Sequence, residues 1–384
     1  MGEHVRSFRR HQMGKHATHP VRLEKLARRL TRAFVSFCAT CLTTIVHAAV
    51  FPMPSPGSNM IGALQTITIA NPDLTLLDIA RRFDLGHHEI TAANPTVSVW
   101  TPKVGDRVVI PTQFILPPRP HKGIVINIPQ RRLFYFIDES DDKPAEVITF
   151  PLSTSRPGWK TPLGKTRIVG KHCNPAWIVP KSIREERLRD GEPNFPTYFP
   201  PGPDNPMGML ALQTGFSSIF IHGTNEPWGI GMRTSHGCLH LYPEDAAYLF
   251  PRVRPGTPVR IIDQPHTVGV HDGALYMSSS EPMGEYSRKR SPARAVDALL
   301  PYIRKQSADA PAHGEIDWRR AFTVAAEQRY LPVPISRSAP ALEQIIESID
   351  AKPYAEEPYD SSANNAALPM GESQDVALLC KVSN

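Results

Sequence analysis

The sequence has 384 residues and 40 prolines, about twice the usual ~5 % share, which excludes a helical bundle and favours strands, turns and extended linkers. Its length fits two or three domains. The formal charge of +6 does not mark a nucleic-acid-binding surface: nine of the 43 Lys/Arg and two of the 37 Asp/Glu lie in residues 1–48, leaving 34 bases against 35 acids.

Residues 1–48 read as an export signal peptide. A basic stretch ends at Arg32, the apolar run AFVSFCATCLTTIV covers 33–46, and VHA and HAA offer small-residue cleavage sites after Ala48 or Ala49. Met13 is an alternative start. The 14-residue apolar run is shorter than the ~20 residues of a bilayer span, so membrane contact is expected only through this segment and only if it stays uncleaved. Export makes the cysteine count informative. Cleavage removes Cys38 and Cys41 and leaves Cys173, Cys238 and Cys380, an odd set that keeps one thiol free unless another chain pairs with it. Cys173 and Cys380 could pair and leave Cys238 free.

Residues 50–61 (VFPMPSPGSNMI) form a Pro/Ser/Gly-rich link. Over 62–117 the pattern is a short strand, a helix with Leu76, Leu77, Ile79, Ala80 and Phe83 at helical spacing, a second short helix ending at AANP, and a closing strand DRVVIP. This order, with NP after the second helix and G-D-x-V-x-I-P at the end, resembles a LysM-like module, a type that binds the glycan strands of peptidoglycan. The entry TITIANPDLTL lacks the usual tight Gly-Asp turn. The alternative is a small packing domain with no ligand.

QFILPPRPHKG (113–123) is an extended linker. From 123 to 263 short apolar or alternating runs follow one another: GIVINI, RRLFYFID, EVITFPLS, KTRIVG, MLALQT, SSIFIHG and TPVRIID. The one helix expected there is YPEDAAYLFPRV (242–253), with Pro243 in its first turn and Glu244 and Asp245 complementing its dipole. Beyond 264, residues 277–295 read as polar and mobile. EIDWRRAFTVAAEQRY and ALEQIIESID give helices within 315–350, and the last thirty residues read as disordered. The expected fold class is therefore mainly β: a β-rich domain over 120–264, a small α+β module before it, and a partly helical, partly disordered extension over 265–384.

One run concentrates chemistry: FIHGTNEPWGIGMRTSHGCLHLYPED, residues 220–245, holds His222, His236, Cys238 and His240. A nucleophilic cysteine needs a base, and backbone N–H groups aimed at the developing oxyanion. Gly237, directly before Cys238, allows a tight turn in which successive N–H groups point into one pocket. His222 ends an apolar strand and is positioned by a rigid element. Local spacing leaves both His222 and His236 open as the base. No obvious aspartate partner stands nearby to hold the second imidazole nitrogen, which points to a backbone carbonyl. A zinc site from the three histidines and Cys238 has suitable ligand types, although H-x-C-x-H lacks the usual spacer. A buried structural thiol is the remaining reading, and His240 alone could be a packed residue.

Together IHGTN…GIGMRTSHGCLHLYPEDAAYLF, GWKTPLGKTRI, NPMGMLAL and VRIIDQP resemble the YkuD-type L,D-transpeptidases, in the exported group with a LysM-like module upstream. The resemblance covers 123–263 most closely, then 62–117, and hardly touches 265–384. It implies Cys238 as nucleophile, His222 as general base, and the Gly223 carbonyl orienting His222. The N–H groups of His236, Gly237 and Cys238 would form the oxyanion hole, and Ser235 and His236 the pocket wall. Arg233 and Trp228 lie on the intervening loop, where substrate contact and a plain surface role are both open. His240 stands where the family commonly has arginine or asparagine, so a carboxylate contact at that position is in question.

The implied reaction needs no cofactor or metal. Cys238 would attack the bond between the third residue of a peptidoglycan tetrapeptide stem and its terminal D-Ala. The acyl group would then pass to an amine of another stem, or to a lysine of a lipoprotein that becomes anchored to the wall. The implied location is the periplasm of a Gram-negative-type bacterium. Two alternatives remain at this stage: hydrolysis by the same Cys/His site, and a non-catalytic wall-binding protein.

Overall fold

The computed structural model describes residues 49–141, 143–286, 291–306, 314–359 and Cys380. The expected signal peptide and most of the expected disordered tail lie outside the described residues. In chain order, β1 (Ala49–Pro52) is followed by β2 (Gln65–Ile69), α1 (Leu76–Arg82), α2 (His87–Ala93) and β3 (Arg107–Ile110). A capping box starts α1: Thr75 Oγ1 accepts from the Asp78 N–H at 3.1 Å, and the Asp78 carboxylate accepts from the Thr75 N–H at 2.8 Å. β2 and β3 pair antiparallel beside the two helices.

Next come β4 (Gly123–Asn127), β5 (Arg132–Ile137), β6 (Glu146–Pro151), β7 (Gly164–Cys173), α3 (Lys181–Arg189), β8 (Leu210–Thr214), β9 (Phe220–His222), β10 (Leu239–His240), α4 (Pro243–Leu249) and β11 (Pro258–Ile262). With β1 these strands form a nine-stranded sheet ordered β1-β6-β5-β4-β11-β7-β8-β9-β10. Its pairings are antiparallel except β4 with β11 and β9 with β10. The mainly β expectation thus holds. Helix α3 was not anticipated: its sequence KSIREERLR buries only Ile183, so it shows no apolar stripe to read.

The middle strands are apolar on both faces because each face meets a different core. Ile124, Ile126, Leu133, Ile148 and Phe150 pack with α4 and the distal strands. The alternate residues Val125, Phe134, Phe136 and Val147 pack with Ile67, Leu76, Ile79, Ile90 and Val108 of the preceding module. Arg132 is buried on that second face. Its Nε and Nη2 donate to Glu89 at 2.7 and 2.7 Å, and Nη2 also donates to the Asp84 carbonyl at 2.9 Å.

The C-terminal part contains β12 (His266–His271), β13 (Ala274–Ser279), α5 (Ser291–Gln306), α6 (Trp318–Glu327), β14 (Val333–Pro334), α7 (Leu342–Ser348) and β15 (Lys352–Tyr354). The stretch 277–295, expected to be mobile, supplies the end of β13 and the start of α5. Two of its serines are bonded: Ser279 Oγ lies 2.9 Å from His266 Nδ1, and the Ser280 N–H donates to the Pro265 carbonyl at 2.8 Å. A third core joins β12, β13, α5 and α6 to Ala93 and Val109 of the module, and β15 extends β2 in parallel. Cys173, at the end of β7, forms a disulfide with Cys380, and Cys238 is free. No helix among the described residues is long and apolar enough to cross a membrane.

Candidate active site

The site is built where β9 and β10 run side by side in parallel, with Ile221 opposite Leu239 and His222 opposite His240. Successive side chains alternate across a strand, and Ile221 and Leu239 enter the core. Phe220, His222, Cys238 and His240 therefore share the other face, where they line a cleft of about 1020 Å³. Cys238 directly precedes Leu239, the partner of Ile221, so it stands at the mouth of the paired strands, and both it and His222 line the cleft. Pairing of the strands removes the distance that separates the two residues in sequence.

The turn before Cys238 depends on Gly237, whose φ is +124°. A Cβ there would come within 3.1 Å of Ile219 Cδ1 and 3.4 Å of the Lys160 carbonyl oxygen. Ser235 Oγ accepts from the Gly237 N–H at 3.1 Å and donates to the Cys238 carbonyl at 2.5 Å. Thr161 Oγ1 donates to the Gly237 carbonyl at 2.8 Å. Ser235, expected as a pocket wall, lines the cleft and its hydroxyl is also engaged in holding the turn. The Gly237 N–H, expected to face an oxyanion, is engaged by that hydroxyl, which reduces the expected donors to the N–H groups of His236 and Cys238.

His222 is 3 % exposed. Its Nδ1–H donates to the Gly223 carbonyl at 2.6 Å, which assigns the tautomer and leaves Nε2 as the basic nitrogen. Burial lowers its pKa to about 4, against the carbonyls of Gly223 and Met207, which raise it. His240 stacks obliquely on it, ring centroids 4.6 Å apart. Burial, and then the neighbouring His222 and His236, push His240 well below the ordinary histidine range. Burial raises the Cys238 thiol to about 11, with the Phe220 backbone opposing, and Sγ lies 3.5 Å from the Ser218 carbonyl. At neutral pH the site holds a thiol and neutral imidazoles.

His236 reaches the cleft edge, but its Nε2 lies 2.8 Å from Glu186 Oε2 and its ring meets the edge of Trp159. Glu186, on α3, also accepts from Trp159 Nε1 at 3.0 Å and pairs with Arg156. Burial acts to raise Glu186, yet the hydrogen bonds from Arg156, Trp159 and His236 hold it down at about 2. This network was not legible in the sequence, because Glu186 stands 50 residues from His236 on a helix without an apolar pattern. Arg233 and Trp228 are not brought into the cleft wall. Arg233 Nη2 pairs with Glu285 at 2.5 Å and its Nε donates to the Ser155 carbonyl at 3.1 Å. Trp228 sits half-buried in the short turn Pro227–Gly229. The opposite cleft wall is aromatic, with Trp177 stacked on Phe199 at 5.4 Å and Phe195 beside it. Among the described residues no three of His, Cys, Asp and Glu converge as metal ligands.

The model of the YkuD L,D-transpeptidase catalytic domain matches residues 121–261. The chain is 35 % identical over 310 residues to the probable L,D-transpeptidase ErfK/SrfK of Escherichia coli K12, covering 78 % of this chain and 96 % of that protein. The chain belongs to the L,D-transpeptidase family. It is also 34 % identical over 325 residues to the probable L,D-transpeptidase ErfK/SrfK of Salmonella typhimurium, covering 82 % of this chain and 100 % of that one. With the probable L,D-transpeptidase YbiS of Escherichia coli K12 it shares 37 % identity over 254 residues, 65 % of this chain and 79 % of that one.

The likeness to the ErfK/SrfK proteins extends well beyond the matched catalytic domain, and a close contact joins the two regions in this L,D-transpeptidase. Gly231, φ +84°, lies on the loop between His222 and Cys238. A Cβ there would stand 2.5 Å from Gly86 Cα and 2.3 Å from the His87 nitrogen. The His87 N–H donates to the Ile230 carbonyl at 2.9 Å. The start of α2 thus holds the loop of the transpeptidase domain from behind.

Proposed function

We propose that this L,D-transpeptidase acts on peptidoglycan in the periplasm, with Cys238 as nucleophile and His222 as base. The observation that carries the roles is the parallel pairing of β9 and β10, which sets Cys238 and His222 on one face of a cleft. The raised thiol and depressed imidazole fit proton transfer during attack rather than a resting thiolate–imidazolium pair. As sulfur attacks the carbonyl of the third stem residue, the thiol proton passes to His222 Nε2. The bond to D-Ala then breaks, its amine leaves with that proton, and a thioester remains. An acceptor amine attacks the thioester, gives a proton to His222, and the departing sulfur takes it back. The N–H groups of His236 and Cys238 face the oxyanion, and the Gly223 carbonyl fixes the His222 tautomer.

The acceptor is a diamino-acid side chain of a second stem or a lysine of a lipoprotein. The module over 62–117 is read as LysM-like and as holding the glycan near the cleft. Cys238→Ala is expected to abolish both transfer and formation of a carbapenem adduct, read by mass spectrometry; wild-type adduct levels in that variant would overturn the assignment. Incubation with defined tetrapeptide stems distinguishes the acceptors: a cross-linked dimer supports transfer, and a tripeptide accumulating despite added amine marks a hydrolase.

A further inference from the structure

Asp84, just after α1, and Asp245, in the first turn of α4, form a buried pair, 5 % and 3 % exposed. The two carboxyls face each other closely enough that each shifts the other's proton affinity, and Asp84 Oδ1 and Asp245 Oδ2 are buried with no hydrogen-bond partner among the described residues. Neighbouring cations are already matched. Arg132 is held by Glu89 through two bonds of 2.7 Å, and Arg81 by Glu244 at 2.7 and 3.0 Å. With one of the two carboxyls protonated, a negative charge remains that is opposed only by Arg132, itself bonded to Glu89, and a poorly paired buried charge is costly. The remaining contact is with Ala49, whose N–H donates to Asp84 Oδ2 at 3.1 Å. Ala49 opens β1, which pairs with β6 at the sheet edge.

We propose that processing cuts the chain between Ala48 and Ala49, and that the new α-ammonium of Ala49 is the cation that completes the Asp84–Asp245 pair. The sequence alone leaves cleavage after Ala48 or after Ala49 open. The geometry selects the first, because a chain starting at Val50 carries its first nitrogen one residue further along the strand, about 3.3 Å away. A leader peptidase adds one water across the Ala48–Ala49 bond. Ala48 leaves as a carboxylate, and the Ala49 amine takes up a proton and keeps its place on Asp84 as a charged donor. The leader is thus removed and the buried pair neutralised in one step. The inference is independent of the acyl-transfer reading and survives if that reading fails.

The test begins with the full chain expressed with its own leader in a bacterial host and purified from outside the cytoplasm. Terminal sequencing is expected to begin at Ala49; a chain beginning at Val50, or one retaining its leader, overturns the proposal. The mature chain is then compared with one carrying Gly-Ser before Ala49, which replaces the ammonium by an amide. The extended chain is expected to melt lower by about 3 °C or more, and the gap is expected to close in an Asp84→Asn background. Equal melting of the two chains, or an undiminished gap with Asp84→Asn, overturns it. If Asp84→Asn does not fold, amine labelling of the native mature protein decides. The α-amine of Ala49 is expected to react about tenfold more slowly than after denaturation, the equivalent of ~1.4 kcal/mol; equal rates overturn the proposal.

Discussion

The catalytic cysteine proposed here rests as a thiol, and that has measurable consequences. With its pKa pushed up to about 11, Cys238 is expected to alkylate slowly with iodoacetamide at pH 7 and faster as pH rises toward 11, followed by mass. Full labelling at the rate of an ordinary surface thiol at pH 7 would contradict the neutral pair. His222 folds with a pKa of about 4 against an ordinary 6.5, and His240 shifts in the same direction. The unfolded chain therefore binds more protons below pH 6.5, so the stability tied to both neutral rings is complete above 6.5 and lost as pH falls toward 4. The urea midpoint is expected to drop across that window, and to drop less in His240→Phe; an unchanged profile in the variant would remove His240 from the account. At this scale the glycine before Cys238 and the clustering of His222, His236 and His240 around it were legible as local patterns, whereas the choice of His222 over His236 and the part of the Gly223 carbonyl came only from the family resemblance. The tie between Glu186 and His236 was not legible, since it joins two elements whose approach no local pattern encodes. For Arg233 the partner Glu285 decides, and it too is remote in sequence.

Among the elements, the contact between Gly231 and the start of α2 leaves no space for a side chain. Gly231→Ala adds a left-handed alanine, costing ~1–2 kcal/mol, to an overpacked contact of ~1–3 kcal/mol, and is expected to destabilise by about 2–5 kcal/mol in urea unfolding. A change below half a kcal/mol would mean that the loop and α2 part without strain. Seven strands of the sheet were readable from alternation and apolar runs; β1, in the proline-rich stretch read as a link, and the two-residue β10 were not. Which core each face enters was not readable, because β4, β5 and β6 are apolar on both sides. Helix α3 escaped notice for the opposite reason, having almost nothing to bury.

At the level of the whole molecule, the module, the sheet and the C-terminal part share cores among the described residues from Ala49 onward. The C-terminal part was the least legible, because β12 and β13 lie outside the stretches read as strands, although with α5 and α6 they build a core that also takes in Ala93 and Val109 of the module. Arg132 and Glu89 link module to sheet with little exposure. Removing one partner strands a buried charge, so Arg132→Ala is expected to cost about 3–5 kcal/mol in denaturant unfolding, whereas a loss under 1 kcal/mol would show that water reaches Glu89. The Cys173–Cys380 disulfide spans 207 residues. The chain-entropy account gives such a closure about 5 kcal/mol. Double replacement by serine is expected to lower the urea midpoint while carbapenem acylation of Cys238 keeps its rate; a matching loss of acylation would tie the disulfide to the cleft itself.

The parallel pairing of β9 and β10 also bears on how such a site can change over generations. Cys238 and His222 line the same cleft because two strands lie in register, not because of the number of residues that separate them. The segment 224–229 can therefore gain or lose residues without disturbing the reacting atoms, while Gly231 is pinned by α2. Variation in length should gather in the first half of that loop and leave its second half fixed. New acceptor preferences would then arise by insertion and deletion there, with the chemistry inherited intact.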